Sequence, residues 1–310
     1  MALSHRSWLV ALLVATASAA CSPGPGLVVG SKNFTEQDLL GEIVAQWVEG
    51  RLGIPVERRL HLGGSFIAHR AVVSGELDLY VEYTGTAYTA VLERPPIHDR
   101  DSVYREVARA YETRWDLEWL PPLGFENTFA MLVREGMADS LGVTAMSELA
   151  PHAPELAAGF GYEFMQREDG FRGLIDTYGL EFSEPPREMD LGLVYRALAE
   201  GRIDLTAGNS TDGRIEALEL RMLEDDRGYF PPYEAAIVVR TDALERHEGL
   251  RAALEELSGR LDTRTMRRLN AAVDLEGRDF RIVAAEWVRA RLAPPGTPAA
   301  MSSDTGPGGR

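Results

Sequence analysis

The chain has 310 residues, 45% hydrophobic and 26% charged, a globular composition with length enough for two domains of middling size. Its formal net charge of -16, with no basic run, repels phosphate backbones and disfavours a nucleic-acid partner. A single cysteine excludes an intramolecular disulfide.

Residues 1–21, MALSHRSWLVALLVATASAAC, carry His5 and Arg6, an apolar stretch from Trp8 to Val14, and then small residues, the pattern of an export signal. The apolar stretch is too short for a permanent membrane span, and no other segment reaches the ~20 apolar residues a span needs. Cys21 follows Ser18-Ala19-Ala20 and is read as a lipidation site. Ordinary cleavage after Ala19, leaving an incidental thiol, is the other reading, because Ser18 stands where lipoprotein signals usually carry leucine. Both put the mature protein in the periplasm or on the outer face of the cytoplasmic membrane, the first with a lipid anchor. Residues 22–26 form a tether and residues 294–310 a disordered tail.

Beyond the tether, LVVGSKNFTEQDLLGEIVAQWV predicts a strand, a turn and a helix, with Thr35 as N-cap and Asp38 in capping-box position. Lys32, the chain's one lysine, lies in that turn. The free amides and dipole of the helix start favour an anion, and ligands in open α/β sheets settle at such junctions. Further on, RAVVSGELDL from Arg70 to Leu79 recurs as RALAEGRIDL from Arg196 to Leu205, displaced by 126 residues. Each predicts a helix end, a glycine stop and a buried strand, so two lobes are expected to share one plan. NTFAMLVR (Asn127 to Arg134) and YEAAIVVR (Tyr233 to Arg240) are paired apolar strands ending Val-Arg, expected as two crossings of a hinge. The domains expected are one α/β lobe of residues 27–126 plus 235–293 and a second of residues 127–234. LRAALEELSGRL and DFRIVAAEWVRARL are expected as helices packed on the first lobe.

Nothing in the chain has the pattern of an active site. The six histidines are scattered, and there is no HExxH, no GxSxG and no phosphate loop, so neither catalysis, nor a metal, nor a cofactor is expected.

GSKNFTEQ..LGE, LGG at Leu62 to Gly64, GELDLYVEYTGTAY at Gly75 to Tyr88, GFENTFAMLV at Gly124 to Val133, STDGRI at Ser210 to Ile215 and FPPYEAAIVVR at Phe230 to Arg240 come in a family's order. Together they resemble the OpuAC-like substrate-binding proteins of osmoprotectant ABC importers, over nearly all of Leu27 to Leu292. The resemblance implies a type II periplasmic binding protein fold, two α/β lobes joined by two hinge crossings. It implies as partners a quaternary amine such as glycine betaine, choline or carnitine, and an ABC permease with its ATPase. A sensor reporting to a membrane partner, or a relative retuned for another zwitterion, is the alternative.

A trimethylammonium donates no hydrogen bond, so aromatic faces must recognise it, and a betaine carboxylate wants charge-assisted donors. By resemblance, Tyr83 and Tyr233 match cage tyrosines, Thr86 a hydroxyl on the carboxylate, and Lys32 and Arg167 its cationic partners, one from each lobe. Repulsion between those two cations, offset by a bound anion, would make closure depend on the ligand. Phe129 departs from the family's usual tyrosine and loses a hydroxyl. Asn209, 126 residues after Tyr83, stands where another aromatic wall is expected. The amide either weakens quaternary-amine binding roughly tenfold or hydrogen-bonds a polar group on a different guest.

Overall fold

The computed structural model describes residues 26–292. The export signal with Cys21, most of the tether and the tail lie outside them. Strands β1 (Leu27–Gly30), β2 (Val56–Arg59), β3 (Leu79–Tyr83) and β4 (Leu117–Trp119) lie in one sheet. The chain then leaves it to form β5 (Phe129–Arg134), β6 (Gly159–Gly161), β7 (Arg187–Met189), β8 (Leu205–Asn209) and β9 (Leu220–Met222). It returns with β10 (Ala235–Arg240), which completes a sheet of order β2-β1-β3-β10-β4.

The second group repeats this plan. β5 runs antiparallel between β8 and β9, and a parallel bridge from Ala158 to Leu205 sets the β6–β7 pair beside β8, so the order reads β7-β6-β8-β5-β9. The 126-residue echo falls on equivalent parts of the two sheets. α2 (Ser65–Ser74) stops at Gly75, φ 81°, and leads into β3, while α3 (Leu191–Ala199) runs past Gly201, φ 70°, into β8. The echoed aspartates explain the motif. Asp78 Oδ2 accepts from Val28 N at 2.7 Å and Asp204 Oδ2 from Ala157 N at 3.0 Å, so each fixes the neighbouring strand beside its own.

The segments that join the sheets lie side by side. Glu126 and Glu234 form an antiparallel bridge, Asn127 N donates to Tyr233 O at 3.1 Å, and Ala235 N to Phe125 O at 3.1 Å. β5 and β10 begin just beyond this ribbon; one face of each, Met131 and Val133 with Ala235, Ile237 and Val239, enters a shared core, while the other faces enter separate ones, Ala130 and Leu132 in one and Ala236 and Val238 in another.

α1 (Thr35–Leu52) is largely buried beneath α4 (Thr263–Asp274) and α5 (Phe280–Leu292), with polar Glu36, Gln37, Asp38 and Glu42 out of water alongside its apolar residues. Trp47 Nε1 donates to Ala253 O at 2.7 Å, from the short helix Leu250–Glu255. The capping expected of Thr35 is not found. Phe34 is the N-cap, with no side-chain cap, and Thr35 is the first helical residue. Thr35 Oγ1 donates instead to Asp274 Oδ1 at 2.6 Å, and Asp38 accepts from Ser31 Oγ at 2.6 Å and meets His61 Nδ1 at 2.9 Å. The groups that would close a capping box are spent on tertiary partners.

Glu36, in the first turn of α1 and 3% exposed, ties these parts together. It accepts from Tyr83 Oη at 2.6 Å, Asn127 Nδ2 at 2.8 Å and Asn270 Nδ2 at 2.9 Å, joining β3, the first crossing and α4. Burial raises its pKa above 4.5, against the hydrogen bonds that lower it. An acid whose pKa rises on folding costs stability once ionised, so this cost is absent below the unfolded-state value and grows as pH rises above about 4.5. The stability margin of the native chain over Glu36→Gln is therefore expected to shrink between pH 4 and pH 7 in urea unfolding. A margin that grows over that range would contradict it.

Candidate functional site

The turn after β1 runs Ser31, Lys32, Asn33, Phe34. Lys32 is 2% exposed, and its Nζ lies 2.5 Å from Glu82 Oε1 and 3.4 Å from Ser65 Oγ. The same Nζ sits 4.4 Å from the ring centre of Tyr83 and 5.9 Å from that of Phe34, and the two rings stack at 6.5 Å. Tyr83 is fixed at the end of β3 by the register that pairs it with Ala235 and by its hydroxyl on Glu36. Burial first, then the Glu36 charge, holds that phenol well above its ordinary pKa, so it stays a hydrogen-bond donor.

The facing wall comes from the second sheet. Arg167 forms a two-pronged pair with Asp169, Nε to Oδ1 at 2.7 Å and Nη2 to Oδ2 at 2.5 Å, and reaches across the cleft with Nη1 to Thr86 Oγ1 at 3.1 Å. Its guanidinium lies 4.9 Å from the ring centre of Phe129 and 5.8 Å from that of Tyr233. Burial pushes Asp169 up, but the charge and hydrogen bonds of Arg167 outweigh it and hold the carboxyl below its ordinary value. Tyr233 donates its hydroxyl to Asp169 Oδ2. Its ring packs on Gly85, where any Cβ would lie 2.6 Å from the ring carbons. Phe129 meets Tyr233 edge-on at 5.8 Å and Phe164 at 4.9 Å. Asn209 ends β8 opposite Phe129, and its side chain makes no hydrogen bond among the described residues.

Lys32, Tyr83, Thr86, Phe129, Arg167, Asn209 and Tyr233, all named from the sequence, line one cavity of about 300 Å³ between the sheets. The structure alters one expectation about them. The cations are not left to repel each other: Lys32 has Glu82 and Arg167 has Asp169, each pair within its own wall and almost wholly out of water. Sequence reasoning missed Glu82, Asp169, Phe34 and Glu163. Glu82 left a mark, as the one charged residue inside the apolar strand LYVEY. Glu163 Oε1 accepts from Ser65 N at 3.3 Å across the cleft, and nothing in the sequence pointed to it. Among the described residues no group of acids, histidines or cysteines has the geometry of a metal site.

Comparison with known proteins gives consistent matches. The family profile described as the substrate-binding domain of an ABC-type glycine betaine transport system matches residues 25–290. A glycine-betaine-binding protein of Pseudomonas aeruginosa is 38% identical over 274 residues, 85% of this chain and 87% of that protein. The ergothioneine transport permease/ergothioneine binding protein EgtU of Helicobacter pylori is 34% identical over 263 residues, 84% of this chain; the match spans only 47% of that longer protein. The crystal structure of a glycine betaine/carnitine/choline ABC transporter component is 31% identical, with a TM-score of 0.71, over 86% of this chain and 98% of that one.

Removing one member of a buried pair strands the other. Lys32→Met is therefore expected to cost about 3 kcal/mol in urea unfolding, with more than half recovered when Glu82→Gln is added. A single variant as stable as the parent would show that the pair does not matter to the fold.

Proposed function

Because the chain belongs to the family of substrate-binding domains of ABC-type glycine betaine transport systems, we propose that it captures a small quaternary amine between its lobes and hands it to an ABC permease outside the cytoplasmic membrane. Its fold is that of the type II periplasmic binding proteins, two α/β lobes around a cleft. We take residues 27–126 with 235–293 as one moving body and 127–234 as the other, hinged at the Glu126–Glu234 ribbon. The protein does no chemistry: capture and closure are its work, and ATP is used by its partner. Cys21, outside the described residues, is the point of lipid attachment in this scheme.

One observation carries the proposal. Tyr83 and Tyr233, distant in sequence, present rings to a single cavity that also holds Phe34, Phe129 and two paired cations. An onium group gains about 2 kcal/mol or more from each ring face it meets in a dry site, and has no N–H to leave unsatisfied there. A carboxylate at the other end of the guest would take its bonds from Thr86, from Arg167 and from Lys32. Lys32 has two acceptors within reach, so one of its three donors is left for the guest. Since each cation is already matched by an acid, a bare anion finds no net positive charge, whereas a zwitterion or cation adds no unbalanced negative charge.

Calorimetric titration of the purified chain with glycine betaine, choline and acetate tests this. Betaine or choline should bind and acetate should not, and Tyr233→Ala should weaken the onium compound about 30-fold. Normal affinity in Tyr233→Ala would rule out the ring cage.

A further inference from the structure

The ribbon that joins the sheets has two faces, and each looks into a different space. Along an extended segment successive side chains point to opposite sides. Asn127 and Tyr233 line the ring-walled cavity, whereas their neighbours Glu126, Thr128 and Pro232 line another, of about 490 Å³, behind the ribbon. Phe129 is the one residue common to both.

The rear space also lies between the lobes. His98 and Arg100, at the start of the helix Arg100–Trp115, line it from the first lobe. Thr144, Met146, Met222 and Glu224 line it from the second, where a bridge from Ala145 to Glu224 holds their segments together. The lobes meet differently on the two sides of the ribbon. In front, Arg167 Nη1 donates to Thr86 Oγ1 at 3.1 Å and Ser65 N to Glu163 Oε1 at 3.3 Å. Behind, Arg100 Nη1 turns to Glu126 Oε1 of its own lobe at 2.9 Å, and among the described residues neither Arg100 nor His98 bonds to the second lobe. Met222, a large apolar residue 42% exposed, is left beside this gap.

Two bodies that pivot about a ribbon cannot widen the space on one side without narrowing the space on the other. We propose that the rear cavity is the stop that sets how far the lobes part, and through that how tightly the closed form holds its guest. The inference rests on the hinge and quaternary-amine readings above. The room behind the ribbon exists while the front is shut, so bulk added there fits the closed form and obstructs the open one. Such bulk raises the fraction of empty protein that is already closed, and apparent affinity scales with that fraction. Removing bulk lets the lobes swing wider and lowers it. Neither Met222 nor His98 lines the front cavity, so the contacts made by the guest stay as they are.

Met222→Trp and His98→Trp place fillers on opposite walls of the gap. In the full chain, each should tighten glycine betaine and choline by the same factor, about fivefold, and slow their release. Small-angle X-ray scattering of the empty variants should give a radius of gyration shifted toward that of the guest-bound native chain. Met222→Ala should loosen both compounds about twofold. Fillers that leave affinity and empty-chain dimensions at native values overturn the inference. So does weaker binding of both compounds, which would mean that the closed form has no room behind the ribbon, and so does a change confined to one compound, which would mark a direct contact with the guest. Should one filler fail to fold, the other decides from the facing wall. If the native chain binds neither compound, the quaternary-amine reading falls, and scattering from the empty variants alone judges the rear cavity: compaction supports it and native dimensions overturn it.

Discussion

A charge taken out of water must be met by an opposite charge close by, and this constraint governs how the cleft is built. Lys32 and Arg167 are both buried, and each is answered from its own side, by Glu82 within the first sheet and by Asp169 two residues along the same chain segment. Neither wall depends on the other for its electrical balance. Separation of the lobes would break the bond from Arg167 to Thr86 and that from Ser65 N to Glu163, but would leave no buried ion alone. The aromatic rings follow from the same arrangement: Tyr83, Phe129 and Tyr233 lie against cations whose charge is already compensated by an acid in the same wall.

The polar centre at Glu36 complements this. It gathers donors from β3, the first crossing and α4, so the start of α1 is tied both to the wall of the cavity and to the ribbon that joins the sheets. Tyr233 has a comparable position on the second crossing. Its hydroxyl belongs to the Arg167–Asp169 pair, while its ring rests on Gly85 of the other lobe. Ring orientation and hinge geometry are in this way set by the same contacts.

Much of the architecture was readable before any coordinates. The 126-residue echo marked β3 and β8 because a helix end, a glycine in the left-handed region and an aspartate that grips the next strand are local requirements, each tied to a residue type. The strands at Phe129 and Ala235 were visible as apolar runs. What stayed hidden was pairing. With 48 acids in the chain, nothing local says which one will reach Lys32 or Arg167. Thr35 looked like a cap because its competitor Asp274 lies 239 residues away. The helix Thr263–Asp274 escaped notice because it buries only a narrow stripe, Met266, Leu269 and Ala272 with Asn270, among arginines and threonines.

The two sheets have one strand order, yet their matching ends carry different residues: Tyr83 against Asn209, Ala235 against Phe129, Tyr233 against Asn127. Two identical halves would make a pocket indifferent to which end of a molecule went in first. Divergence at those few strand tips gives the space a direction, because a ring at one tip has an amide or a methyl at its counterpart in the other sheet. Duplication of a backbone thus supplies the enclosure, and a handful of unlike side chains supplies its sense of head and tail.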